Sequence, residues 1–185
     1  TVSSEEDTSC WIDVLSNDND VDGTLNASTV TLIAAPSYGN TFINSSTGEI
    51  RYIPGNNYYG SDQFTYTVDD NDDATSNIAT VSISINPIND PPVAIDDAAI
   101  CEQNSLVWIP VLDNDADVDG TIIPSSIEII SNPTHGNYNI NISTGDIQYM
   151  PHNNYQGIDS FTYRVQDNSS AFSNIATVTI TIGDQ

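Results

Sequence analysis

The chain has 185 residues, 38% of them apolar and 8% aromatic, and carries 26 acidic against 2 basic side chains, for a formal net charge of −24. With no lysine, and Arg51 and Arg164 as its only fixed cations, it lacks the positive charge that displaces phosphate counterions, which excludes unaided nucleic-acid binding; an anionic membrane surface repels it for the same reason. No apolar run approaches the ~18 residues of a membrane span and the first residues do not read as a signal peptide, so the expectation is an excised piece of a larger chain or a mature one, without membrane insertion.

The apolar content is ordinary and sits in regular runs, so the chain is expected to fold. Cys10, Ile12 and Val14 alternate with Trp11 and Asp13. Val30 and Leu32 mark a second short run, and Ile50 and Tyr52 alternate with Glu49 and Arg51. Phe64, Tyr66 and Val68 alternate with Thr65 and Thr67; Ala79, Val81, Ile83 and Ile85 alternate with Thr80, Ser82 and Ser84. Period-two runs separated by turn residues, here Asp22-Gly23, Ser46-Thr47-Gly48 and Pro54-Gly55-Asn56-Asn57, indicate half-buried antiparallel strands.

The same series then returns at one fixed offset. Trp11 falls on Trp108, Val14-Leu15 on Val111-Leu112, Phe64-Thr65-Tyr66 on Phe161-Thr162-Tyr163, and Ser76 to Val81 on Ser173 to Val178. Well over half of the positions from 11 to 85 are repeated without a gap, which is a duplication. Between the copies lies Asn86-Pro87-Ile88-Asn89-Asp90-Pro91-Pro92; three prolines make this a stiff, extended linker. The expected architecture is all-β: two tandem immunoglobulin-like β-sandwiches of about seven strands each, spanning 1–90 (with the linker) and 91–185, arranged as an elongated rod.

The acids are clustered. Asn17-Asp18-Asn19-Asp20-Val21-Asp22-Gly23 has its equivalent in Asn114-Asp115-Ala116-Asp117-Val118-Asp119-Gly120. Alternate carboxylates closed by a glycine turn converge oxygens, which suits a hard cation wanting 6–8 of them at ~2.3–2.6 Å. An EF-hand is excluded: its twelfth position, where a bidentate Glu belongs, is Thr29 or Ser126, and the cluster lies between strands. Further ligands are sought among Asp70 and Asp167 at strand ends, Asn89 and Asp90 in the linker, and Glu5, Glu6 and Glu102 near the repeat starts, with Asp96 and Asp97 before the last. Asp69, Asp72 and Asp73 are replaced by Gln166, Ser169 and Ser170 in the second copy and read as surface charge. Asp62 and Asp159 precede strands and read as turn caps. Cys10 suits a small buried hydrophobe; a bridge to Cys101 would cross the repeat boundary, and spacing alone does not establish one.

Val-Leu-x-Asn-Asp-x-Asp-x-Asp-Gly, Ser-Thr-Gly-Glu/Asp-Ile-x-Tyr, Asp-x-Phe-Thr-Tyr-x-Val and Asn-Pro-Ile-Asn-Asp-Pro-Pro-Val-Ala together resemble the bacterial cadherin-like (bacterial immunoglobulin-like) tandem repeats of large secreted and surface proteins, over essentially the whole chain. The resemblance implies cadherin-like sandwiches in rods of adhesins, sometimes beside carbohydrate-active modules. Animal cadherin repeats, a more distant likeness, bind Ca2+ at each junction. Carried over, the linker pair is Asn89 and Asp90, the later repeat gives Asp115, Asp117 and Asp167, and the earlier repeat gives Glu5 or Glu6. The matching outer set is Asp18, Asp20 and Asp70; Asp22 and Asp119 are extra and make each Asp loop a self-contained alternative. The pattern departs from the animal one at Pro87 and Pro91, which replace linker acids and amides, and the first repeat has no Asp-Arg-Glu motif.

The resulting expectation is a calcium-binding structural or adhesion module, a calcium-rigidified spacer of an extracellular, cell-surface protein. Its partners are neighbouring repeats of the same parent chain, with surface glycans or a homophilic or heterophilic adhesion partner beyond them. The alternative is a carbohydrate-binding module of a secreted polysaccharide-associated protein, with Trp11 and Trp108 as possible ligand-facing aromatics and Tyr58, Tyr59 and Tyr155 nearby. No Ser/His/Asp or Cys/His arrangement is evident, so no enzyme is expected.

Overall fold

The computed structural model describes residues 1–183, and no helix occurs among them. The chain divides into two compact units, Thr1–Ile88 and a second beginning at Asn89. The first has strands β1 (Val2–Glu5), β2 (Cys10–Ile12), β3 (Leu25–Ala34), β4 (Gly39–Ile43), β5 (Ile50–Pro54), β6 (Gly60–Asp70) and β7 (Ala79–Asn86). The second has β8 (Asp97–Glu102), β9 (Val107–Ile109), β10 (Ile122–Ser131), β11 (Gly136–Ile140), β12 (Ile147–Pro151), β13 (Gly157–Asp167) and β14 (Ala176–Gly183).

Each unit packs a four-stranded sheet, β1-β7-β6-β3 or β8-β14-β13-β10, on a three-stranded one, β2-β5-β4 or β9-β12-β11. The pairs are antiparallel except β1 with β7 and β8 with β14, which run parallel. That departs from the all-antiparallel expectation. β1 and β8 start each unit and reach the other sheet through a short turn into β2 or β9, so they lie along the last strand in its own direction.

Alternation produces the core. Ile12, Ile50, Tyr52, Phe64, Tyr66, Val68, Ile83 and Ile85 face inward in the first unit, and Ile109, Ile147, Tyr149, Phe161, Tyr163, Val165, Ile180 and Ile182 in the second. Removing apolar side chains of this size from water contributes roughly 1.5–3 kcal/mol each. The copies differ at one edge. Ala176 and Val178 are fully buried, whereas their counterparts Ala79 and Val81 are only partly so. The six residues of β8 pair from Val178 onward, while the four of β1 reach only Ile83 to Asn86.

The Ser-Thr-Gly turns close β4 on β5 and β11 on β12. Gly48 and Gly145 have φ of 77° and 83°, a left-handed conformation costly for a residue with a Cβ, and their amides donate to the carbonyls of Asn44 and Asn141. Asp62 and Asp159 do not precede strands but lie inside β6 and β13, where each carboxylate clasps a loop by taking three backbone amides and one tyrosine hydroxyl.

Candidate metal centre at the aspartate loops

In the second unit the loop after β9 is anchored from below. Tyr163, in the middle of β13, sends its hydroxyl through the core to the carbonyl of Val111 at 2.7 Å, Asp115 Oδ2 at 2.9 Å and Asp97 Oδ2 at 3.3 Å. Asp115 Oδ1 accepts the amide of Ile95 at 2.8 Å, so both its oxygens are already engaged by the chain. Burial pushes the Asp97 carboxyl up to about 6, the charge of Asp115 adding to the effect, and burial raises Asp115 as well.

Asp117 lies at the turn. Its Oδ1 accepts the amides of Asp119 at 3.3 Å and Gly120 at 2.9 Å. Its Oδ2 is buried and has no hydrogen-bond partner, the one such side-chain atom among the described residues. Across the turn Asn168 Oδ1 accepts the Thr121 amide at 2.7 Å. A Cβ on Gly120 would meet Asn168 Oδ1 at 2.6 Å and Asp117 Oδ2 at 2.7 Å, so glycine is what allows these two oxygens to flank one small space. Asp119 accepts the Asp90 amide at 3.3 and 3.4 Å. Asn89 Nδ2 donates to Asp167 Oδ2 at 2.7 Å, and the other Asp167 oxygen accepts the amides of Ser169 and Ala171, both at 2.8 Å. The Asn89 bond and those amides hold the Asp167 carboxyl below its ordinary value. Asn89, Asp90, Asp115, Asp117, Asp119 and Asp167 thus share one end of this unit.

The first unit repeats the plan more loosely. The Tyr66 hydroxyl contacts the Val14 carbonyl at 2.6 Å and Asp18 Oδ2 at 2.7 Å. Asn71 Oδ1 accepts the Thr24 amide at 2.6 Å, and a Cβ on Gly23 would be blocked by Asn71 and by Asp20 Oδ2 at 2.6 Å. Asp20 Oδ1 takes only the Asp22 amide, at 3.4 Å. Asp70 Oδ1 accepts the amides of Asp72 and Ala74 in its own loop. Glu5 and Glu6, which the resemblance assigns to the set with Asn89 and Asp90 and not to this loop, lie elsewhere in the first unit. β1 pairs with the last residues of β7, at the opposite end of the unit from Asp70. There Glu6 is buried and its Oε1 accepts the Ile88 amide at 2.6 Å, while Glu5 is exposed.

Among the described residues no three His, Cys, Asp or Glu side chains stand close enough to hold a metal ion as they lie. The donor chemistry nevertheless fits a hard cation: carboxylate and amide oxygens only, with one buried carboxylate oxygen unpartnered. Asn71 and Asn168 lie in the strand-end segments Asp69-Asp70-Asn71-Asp72-Asp73 and Asp167-Asn168 that the sequence offers as further ligand sources. Their signal is that they stay in register while the acids around them change.

Trp11 and Trp108 are half exposed, on the outer faces of the three-stranded sheets. Trp11 lies in one cross-strand row with Arg51 and the exposed Phe42, and Trp108 with Gln148 and Asn139. Both Nε and Nη2 of Arg51 donate to the Ser9 hydroxyl. Tyr58 stacks on Tyr38 at 4.3 Å, and Tyr155 on His135 at 4.1 Å, which occupies those rings. Both cysteines are free thiols.

The model of the bacterial cadherin-like domain family matches the chain twice, over residues 1–87 and 89–184. No curated protein matches. Among solved structures, Drosophila N-cadherin EC1-4 aligns with the whole chain and 48% of its own length, at 14% identity and a TM-score of 0.62. Human protocadherin-24 EC1-2 aligns with 90% of the chain and 86% of its own length, at 17% identity and a TM-score of 0.51. An endo-fucoidan hydrolase of glycoside hydrolase family 107 aligns over 27% of its length at a TM-score of 0.39, too loose to carry an argument. The chain therefore spans about half of that N-cadherin structure and about a quarter of the hydrolase, and at these identities the likeness is one of fold alone.

Proposed function

The chain belongs to the bacterial cadherin-like domain family, once in each unit, and on that premise we propose that it is a calcium-binding structural and adhesion module, a spacer stiffened by cations in an extracellular surface protein. Cadherin-like domains are adhesion or structural modules, typically extracellular and non-enzymatic. No helix is long and apolar enough to cross a membrane among the described residues.

The observation that carries the calcium reading is Asp117 Oδ2. A buried carboxylate oxygen without a donor is costly, and a chain with no lysine supplies no side-chain ammonium to meet it. Calcium, when bound, supplies the missing positive charge. The chain's own residues prepare for it. Tyr163 fixes the base of the loop, Gly120 leaves room between Asp117 and Asn168, and Asp119 and Asp167 hold Asp90 and Asn89 against the loop. Neutralising these carboxylates removes the repulsion that loosens residues 89–90 from the loop, which is how binding stiffens the segment leading into the unit. Extracellular calcium modules work at about 10⁻⁴–10⁻³ M.

A calorimetric titration of chelator-treated protein with calcium tests this. Saturable binding from which Asp117→Ala removes the second unit's share supports it; an absence of binding heat at millimolar calcium rejects it. The second reading, glycan binding, is supported only by the outward row of Trp11, Arg51 and Phe42, and retardation in polysaccharide-loaded gels that Trp11→Ala abolishes is its test.

A further inference from the structure

The two Asp loops contain one identical pentapeptide, Asp20-Val21-Asp22-Gly23-Thr24 and Asp117-Val118-Asp119-Gly120-Thr121. Local sequence therefore cannot distinguish Asp22-Gly23 from Asp119-Gly120, yet the fold treats them differently. In the second unit the Gly120 amide donates to Asp117 Oδ1 at 2.9 Å, and both Asp119 oxygens accept the Asp90 amide. In the first, among the described residues, the Gly23 amide donates to nothing, the Asp22 carboxylate accepts nothing, and Asp22 is exposed. Asp20, the counterpart of Asp117, takes only the Asp22 amide, at 3.4 Å.

An Asp-Gly bond rearranges when the glycine amide nitrogen reaches the aspartate side-chain carbonyl carbon. Glycine has no Cβ to hinder that approach, so what restrains it is the hydrogen bonding of the amide and the carboxylate. We propose that Asp22-Gly23 is a site of spontaneous succinimide formation and conversion to isoaspartate, and that Asp117 protects the identical Asp119-Gly120. In the step the Gly23 nitrogen bonds to Cγ of Asp22, and one carboxyl oxygen leaves as water with the amide proton and the acid proton. Water then opens the ring. Cleavage at Cγ restores aspartate; cleavage at the main-chain carbonyl gives isoaspartate, with one extra methylene in the backbone and no change in mass. No oxidant or other co-reactant is involved. The modification displaces one carboxylate of the first Asp loop only. Any loss of cation affinity there rests on the calcium reading, but the chemistry itself does not.

The test is ageing of the whole chain at neutral pH and 37 °C in chelator, with isoaspartate quantified by electron-transfer fragmentation. Cleavage at the two arginines places Asp22 in peptide 1–51 and Asp119 in 52–164, so one digest reads both. Isoaspartate should accumulate at Asp22 at least about tenfold faster than at Asp119, the factor a hydrogen bond to a charged group is worth. Asp117→Ala should raise the rate at Asp119 toward that at Asp22. Asp117→Asn, which retains the Oδ1 acceptor, should leave Asp119 protected and so separates loss of the hydrogen bond from loss of folding. Equal rates in the unmodified chain, faster change at Asp119, or no isoaspartate at Asp22 would overturn the proposal. Calcium titration of fresh protein reads the cation site separately.

Discussion

Asp97 and Asp115 converge on one hydroxyl, that of Tyr163, at 3.3 and 2.9 Å. The hydroxyl has a single proton, and the Val111 carbonyl competes for it. Burial, with the charge of Asp115 adding to it, outweighs the share of that hydroxyl that reaches Asp97 and raises its carboxyl to about 6. Its folded value lies above its unfolded value of about 3.9. The stability it contributes is therefore present below pH ~4 and lost as pH rises through ~6. Asp97→Asn should raise the melting temperature at pH 7 in chelator, by the equivalent of about 1 kcal/mol after allowing for solvent screening, and flatten the pH dependence between 4 and 6. Melts of both proteins across that range check it.

Asp159 has the opposite sign. Burial raises its carboxyl, but hydrogen bonds from Tyr149 and from the amides of His135, Thr134 and Ser160 outweigh burial and hold it below the ordinary value. Its contribution is present above the unfolded pKa of about 3.9 and is lost as pH falls through the folded one. Asp159→Ala strands four donors and should cost about 3 kcal/mol at pH 7 in denaturant unfolding. Tyr149→Phe, which removes one bond and leaves three, should cost about 1 kcal/mol.

The thiols should behave independently. Cys101 is buried, burial pushes its thiol up, and its Sγ lies 3.0 Å from the Ser105 carbonyl. Its counterpart Ser4 holds the Thr8 carbonyl in the same way at 3.1 Å, so Cys101→Ser should fold with a near-unchanged melting temperature. A thiol reagent should label the partly exposed Cys10 in the native protein and Cys101 only as the unit opens. Reductant should not change the melting temperature.

Much of this was legible because duplication shows which positions the fold needs. Residues alternating in both copies, such as Phe64 and Phe161 or Tyr52 and Tyr149, are core in both. β1 and β4 escaped notice because Val2–Glu5 and Gly39–Ile43 are short and mostly polar, and their place is set by pairing across the fold. The Asp loops were visible as clusters, but the clasps that shape them were not. The Tyr163 bond to Asp115 spans 48 residues and the Asn168 bond to Thr121 spans 47, distances over which spacing carries no signal.

The most direct test of the calcium-stiffened module is the melting temperature in chelator against that in calcium, for the unmodified chain and Asp117→Ala. At calcium tenfold above Kd, each site should add about 1.4 kcal/mol to the folded state. The unmodified chain should melt several degrees higher in millimolar calcium, and Asp117→Ala should lose the part of the rise due to the second unit. Identical melting of the unmodified chain in chelator and in millimolar calcium would contradict the account.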